Sequence, residues 1–170
     1  PTRREAPFIT GLAQPEASAT HGYLNARKRS VVGEQLSSAA LADLIADADV
    51  VLDDGSESAL LTHCNGVRSS ITWFGKNGPY ASFKGTDAMC FALNGMLRGF
   101  GPVEGPPLIP SGYQAQIVGG NTAFIASMTQ VLAAELGNRT APLEIETSIF
   151  ESCLCFTEVG VVGVYNTGIQ

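Results

Sequence analysis

Two short apolar segments dominate the reading of this chain. "DVVLDD" (Asp49–Asp54) and "VRSSITWF" (Val67–Phe74) are each too short for a helix with a buried face and are rich in β-branched residues. Ahead of the first lies "SSAALADLIADA" (Ser37–Ala48), with Ala40, Leu41, Leu44, Ile45 and Ala48 at helical spacing and Ser37 or Ser38 as the candidate N-cap. Between the two strands a brief helical segment is expected near Ser56–Leu61. Strands separated by helices rather than tight turns pair in parallel, because the chain must cross back over the sheet before each new strand. The expected fold class is therefore α/β, an open parallel sheet with crossover helices.

The remaining segments extend this pattern. "TDAMCFALNGML" (Thr86–Leu97) predicts a helix capped by Thr86 with Asp87 in its first turn. Pro102, Pro106, Pro107 and Pro110 make Gly99–Gly112 a constrained loop. A long apolar helix is expected from about Tyr113 to Leu136, starting near Gly119–Thr122. "LEIETSI" (Leu143–Ile149) alternates as a strand with one wet face. A helix weakened by Gly160 and Gly163 is expected after it. Residues 1–22 read as an extended lead-in, and "NARKRSVVG" (Asn25–Gly33) sets three cations before a short apolar strand.

Several function classes are excluded by composition. Hydrophobic residues make up 45% of the chain and charged residues 15%, which excludes disorder and leaves few charges to cover a surface. Part of the exterior is thus expected to lie against another chain or further sequence. A net charge of −6 argues against nucleic-acid binding by bulk electrostatics. The longest apolar runs are far short of a membrane span, and residues 1–20 lack a signal-peptide core. Cys64, Cys90, Cys153 and Cys155 include one C-x-C pair and no second pair, so no metal is expected; they read as reduced thiols of a cytoplasmic protein.

The loop Gly75–Gly85 follows the end of the second strand, where open α/β sheets bind ligands. Its glycines allow close backbone approach, and Lys76 and Lys84 suit an anion such as a phosphate; a plain surface turn with solvated lysines explains the same residues. Arg27, Lys28 and Arg29 are three of only ten Lys and Arg residues, which favours a phosphate contact over a solvated turn.

Here the chain resembles the class III CoA-transferase family, also called CaiB/BaiF. "YLNARKRSVV" (Tyr23–Val32) is similar to the family's "LNxxKRS" segment, and "DVVLDD" to its "DVxxEN". "SSITWFGKNGPYASFKGTD" (Ser69–Asp87) is similar to "SxSGFGxxGPYxxxxGxD". "EGPPLIP", the Gly119–Gly120 helix, "VLAAELGNR" and "LEIETSIFES" continue in the family's order. The resemblance spans residues 23–156. It implies a Rossmann-like large domain that is incomplete at both ends, with 1–22 as lead-in and 157–170 as a helix leading onward. Coenzyme A or acyl-CoA as substrate and a carboxylic acid as partner substrate are implied as well. So is an interlocked homodimer or a partner domain. The implied CoA contacts are Asn25, Ala26, Arg27, Lys28 and Lys84, with Asp53 and Asp54 able to accept from ribose or pantetheine groups.

The family's chemistry uses an Asp carboxylate that attacks the thioester and carries the acyl group as an anhydride. In this chain that position falls on Gln116 or on Gly119, depending on the anchor chosen, and no Asp occurs after Asp87. No catalytic residue is therefore assigned. Three functions stay open: a CoA-transferase domain without its own nucleophile, a non-catalytic CoA-binding or scaffold half of a fused or heteromeric transferase, and an acyl-CoA racemase-like protein. The last would need a His where Thr86 stands.

Overall fold

The computed structural model describes residues 2–56, 59–102, 104–137 and 143–158. The chain divides into two compact units, Pro1–Ser37 and Ser38–Gln170.

In the first unit the expected lead-in is partly ordered. A 3-10 turn spans Thr2–Arg4, and Phe8 and Ser18 form an isolated antiparallel bridge. Helix α1 (Ala19–Leu24) is capped by the Ser18 hydroxyl, which accepts from the His21 N–H. This helix crosses the boundary expected at residue 22, and the unit continues to Ser37. The apolar strand expected around Val31 and Val32 is absent among the described residues. Both valines are exposed and lead into a 3-10 turn at Gly33–Gln35, for two β-branched residues without a pairing neighbour cannot hold a strand.

The second unit carries the sheet. Helix α2 (Ser38–Ala46) precedes strand β1 (Val50–Asp53), a 3-10 turn at Ala59–His63 and strand β2 (Val67–Thr72). Helices α3 (Asp87–Leu93) and α4 (Gln114–Glu135) lead to strand β3 (Leu143–Ser148) and the short helix α5 (Ile149–Ser152). A 3-10 turn follows at Cys153–Thr157, and the onward helix expected over 157–170 lies beyond the described residues except for Thr157 and Glu158. The strands form a parallel three-stranded sheet in the order β1-β2-β3, as the strand–crossover–strand pattern requires.

Register decides what the two faces carry. Val50, Val67 and Leu143 align, as do Leu52, Ser69 and Ile145, giving one small and apolar face. The alternate positions align Val51, Arg68 and Glu144, then Asp53, Ser70 and Glu146, so the opposite face is charged. Parallel sheets usually bury apolar residues on both faces, and this one does not.

The core lies beyond the β2 end, among Phe74, Cys90, Phe91, Ala115, Ile149 and Cys153. The four cysteines are free and three are buried. Burial, reinforced by neighbouring negative charge, pushes the Cys90 and Cys153 thiols up to about 11, so neither is a nucleophile near neutral pH. Helix α4 begins at Gln114, five residues before the expected Gly119–Thr122 start. Its inward stripe is Ala115, Gly119, Ala123 and Ser127, one small residue every fourth position, and it packs on β2 and β3. Its outward side is apolar: Phe124 and Ile125 are 64% exposed and Leu132 is 59% exposed. With 22 residues and a mean hydropathy of 1.3, α4 has the length and composition to cross a membrane. Scattered Gly, Asn, Thr and Gln hide this when only unbroken apolar runs are counted. The seating of its small stripe on the sheet assigns it the role of crossover helix.

Candidate functional site

At the carboxyl ends of β1 and β2 a cleft of about 1190 Å³ opens. Asp54, Gly55 and Ser56 line it after β1, and Thr72 to Lys76 after β2; Ala81 and Phe83 come from the loop, Glu144 and Ile149 from the β3 side. This is where ligands enter open α/β sheets. Gly55 and Gly75 turn the chain here with φ of 83° and 86°, a left-handed conformation open to glycine at little cost.

The charges around the cleft are internally paired. Asp53 accepts from Arg68 Nε at 3.1 Å, from the Ser70 hydroxyl at 3.0 Å and from the Gly55 N–H at 2.7 Å. Burial raises its carboxyl's proton affinity, but these three donors and the Arg68 charge together outweigh it and hold Asp53 below the usual carboxylate range. Arg68 Nη1 also lies 3.5 Å from Glu144, and Lys76 Nζ donates to the same Glu144 oxygen at 3.1 Å. Those contacts, led by the Lys76 hydrogen bond, lower Glu144 as well. The Lys76 N–H donates to Glu146. Lys76 is thus committed to the sheet and is not free to meet a phosphate, which favours the structural account of this lysine. Asp54 stands at the cleft, fully exposed; bonds from the Ser56 hydroxyl and N–H lower its carboxyl.

Lys84 is exposed and makes no hydrogen bond or ion pair among the described residues; it does not line the cleft. In the first unit, Asn25 caps the end of α1, and Ala26 and the exposed Arg27 follow it. Arg27 has φ 64°, a left-handed conformation that strains a residue with a Cβ. Lys28 Nζ donates to Asn25 Oδ1 at 3.0 Å. Arg27 and Arg29 have no partner among the described residues, so their charges are free. The expected cofactor contacts therefore fall in both units: Asn25 to Lys28 in the first, Asp53, Asp54 and Lys84 in the second.

The first turn of α4 separates the two positions considered for a nucleophile. Gly119 is buried against Ile149: a Cβ there would lie 2.8 Å from Ile149 Cγ1 and 3.3 Å from its Cα. A carboxylate has no room at 119. Gln116 is exposed, and its Nε2 donates to Asp87 Oδ2 at 2.8 Å. The other Asp87 oxygen accepts from the N–H of Ala115 at 2.7 Å and of Gln116 at 3.4 Å. Tyr113, at the N-cap, contributes no side-chain cap. Asp87 therefore caps α4 from the start of α3 while Thr86 caps α3 through its hydroxyl, which accepts from Met89 N–H at 3.2 Å. Thr86 is occupied in capping and has no basic atom, so a proton shuttle at that place has no support.

Sequence reasoning missed the Asp53–Arg68 pair, the pairing of Lys76 and the link from Asp87 to Gln116. The first was open to it: period-two alternation places Arg68, Ser70 and Thr72 on one face, one strand away from Asp53. The other two join residues far apart in the chain, and no local pattern announces them.

CoA-transferase family III matches residues 66–168. A probable CoA-transferase of Mycobacterium tuberculosis, Rv1866, is 36% identical over 124 residues, which cover 65% of this chain and 15% of that protein. The crystal structure of a CaiB/BaiF family protein from Brucella suis superposes with a TM-score of 0.80 at 23% identity, over 99% of this chain and 48% of that one. The hypothetical protein Rv3272 from M. tuberculosis superposes with a TM-score of 0.62 at 22% identity, over 78% of this chain and 40% of that one. At these identities the two structures establish the fold. The chain spans 15% of Rv1866 and less than half of either solved chain.

Proposed function

This chain belongs to CoA-transferase family III, and from that premise we propose that it binds coenzyme A or acyl-CoA within an enzyme that moves CoA between carboxylic acids. The family match over residues 66–168 carries the proposal. Arg27 and Arg29 in the first unit and Lys84 in the second, exposed and without a partner among the described residues, support a polyanionic ligand, because their donors are open to phosphate oxygens. Lys28, Asn25 and Ala26 join them as proposed contacts, and Asp54, which lines the cleft, is the acid proposed to accept from a hydroxyl of the ligand. Asp53 is satisfied by Arg68, Ser70 and Gly55, which leaves it a supporting role.

Acyl transfer in this reading needs a carboxylate that this chain does not supply. A carboxylate oxygen attacking a thioester forms a C–O bond as the C–S bond breaks and CoA leaves as thiolate. The thiolate then adds to the enzyme's own carbonyl of the anhydride and releases the first acid. The second acid attacks the resulting enzyme thioester, forming a new anhydride whose acyl carbon takes the thiolate back and frees the enzyme carboxylate. The Gln116 amide cannot form that anhydride, and its hydrogen bond to Asp87 holds it as a donor. This contact favours the second reading, a non-catalytic CoA-binding half of a fused or heteromeric transferase. The exposed apolar side of α4 supports an interlocked partner copy or a partner domain.

Calorimetry with CoA on the intact chain tests the binding proposal. The double variant Lys28→Ala, Lys84→Ala should bind at least about tenfold more weakly, two charge-assisted contacts having been removed. Equal affinity in variant and wild type removes the site assignment. Hydroxylamine trapping of an acyl adduct on wild-type protein would overturn the non-catalytic reading.

A further inference from the structure

The end of α1 holds a hydrogen-bonded series that leads to Lys28. The Asn25 Nδ2 lies 3.0 Å from the His21 carbonyl oxygen and 3.1 Å from His21 Nδ1. Asn25 Oδ1 accepts from Lys28 Nζ at 3.0 Å, and Thr2 Oγ1 lies 2.9 Å from the same His21 Nδ1. The orientation of the Asn25 amide is decided twice. A carbonyl oxygen needs a donor facing it and an ammonium needs an acceptor, so the NH2 group points at His21 and the oxygen at Lys28. With an NH2 facing it, His21 Nδ1 has to be an acceptor. The ring is then neutral and carries its proton on Nε2.

We infer that His21 is a positioning residue for Lys28: its unprotonated Nδ1 fixes the Asn25 amide, and the Asn25 oxygen in turn fixes the Lys28 ammonium. The ligand consequence rests on the proposed CoA site; the positioning itself does not. Long lysine side chains lose much rotational freedom when they hold a phosphate, and an ammonium already tethered loses less on binding. His21 would thus raise affinity for a phosphorylated ligand without touching it.

Three measurements on the intact chain decide this. Nitrogen NMR of the ring should show His21 as the Nε2–H tautomer; an Nδ1–H tautomer overturns the inference. The Lys28 ammonium signal should show restricted motion in wild type and in His21→Asn, whose amide oxygen can take the place of Nδ1. It should be mobile in His21→Leu. Equal mobility in wild type and His21→Leu overturns the inference whatever CoA does. In CoA titrations, His21→Leu should weaken binding by about threefold in the Lys28 background, the size of one modest hydrogen bond, and have no effect in Lys28→Ala. An equal loss in both backgrounds means that His21 acts on the fold and not through Lys28. If Lys28→Ala leaves affinity unchanged, the proposed CoA site is wrong, and the two NMR readouts still decide the role of His21.

Discussion

Replacing Asp87 tests the contact on which the account of the α4 start depends. Asp87→Ala removes the cap of a 22-residue helix whose own N-cap residue supplies no side-chain cap. Loss of a capping oxygen costs about 1 kcal/mol, here for the bond to Ala115 N–H at 2.7 Å. The favourable alignment of a negative charge with the helix dipole adds about 0.5 kcal/mol. The bond from Gln116 Nε2 at 2.8 Å joins an exposed donor to a carboxylate and adds about another 0.5–1 kcal/mol. The sum is about 2–2.5 kcal/mol. Asp87→Asn keeps the shape and one acceptor oxygen but loses the charge, so about 1 kcal/mol is expected. Urea denaturation followed by circular dichroism reads both; with a slope of about 1.5–2 kcal/mol per molar, the alanine midpoint should fall by about 1–1.7 M and the asparagine midpoint by about half that or less. An alanine variant within about 0.5 kcal/mol of wild type, the scatter of ordinary surface substitutions, would refute the capping role. So would an asparagine variant as damaged as the alanine one.

The same region and the charged sheet face give the other expectations. Gln116→Asp should set two carboxylates against each other. Like charges make the pair bind its first proton at a higher pH than an isolated carboxylate. The destabilisation should therefore be small below about pH 4 and grow as pH rises towards neutrality, as denaturation at pH 3.5 and 7 would show. The same variant, unlike wild type, should yield an acyl adduct with hydroxylamine after incubation with acyl-CoA. Arg68→Ala removes one donor and the positive charge that, with Gly55 and Ser70 and against burial, hold the Asp53 carboxyl low; a depressed carboxyl stabilises the fold above its unfolded value and loses that effect as pH falls through the folded one. Acid unfolding, followed by fluorescence of Trp73, should thus begin at higher pH in Arg68→Ala. Gly119→Ala should cost about 1–3 kcal/mol in urea denaturation, because its Cβ would meet Ile149. Arg27→Gly relieves a left-handed backbone, so thermal unfolding should shift upward by about 1 kcal/mol equivalent while CoA affinity falls.

What could be read from sequence followed short-range physics. Parallel strands were legible because β-branched segments alternated with a helical period and lacked hairpin turns. The Thr86 cap was legible because its bond to Met89 spans three residues. The true start of α4 was not, because its cap comes from Asp87, 28 residues away from Ala115. A helix end satisfied from elsewhere leaves no local signal, and the Gly119–Gly120 pair suggested a start inside the helix, where Gly119 makes room for Ile149. Lys76 looked available for a phosphate because its acidic partners, Glu144 and Glu146, lie about seventy residues downstream on the neighbouring strand. Charge counted along a sequence does not show which charges cancel in space.

The pairing of Asp87 with Gln116 also bears on which side chains the start of α4 can hold. Asp87 is needed whether or not acyl transfer occurs, since the orphan amides at the start of α4 otherwise lack a partner. A carboxylate at 116 would oppose Asp87 within hydrogen-bonding distance, and that repulsion is worth bearing only for a reaction that uses the second carboxylate. On stability alone, an amide is the side chain that fits best there. It keeps nearly the same shape, removes the like charge and turns the repulsive contact into a donor–acceptor pair. A hydrophobic residue at 116 would leave one Asp87 oxygen without its donor, and a glycine would add backbone freedom at the first turn of the helix. Gln116 is thus what stability alone selects beside an obligatory Asp87, and the Gln116→Asp variant tests whether the same position also decides between CoA binding and acyl transfer.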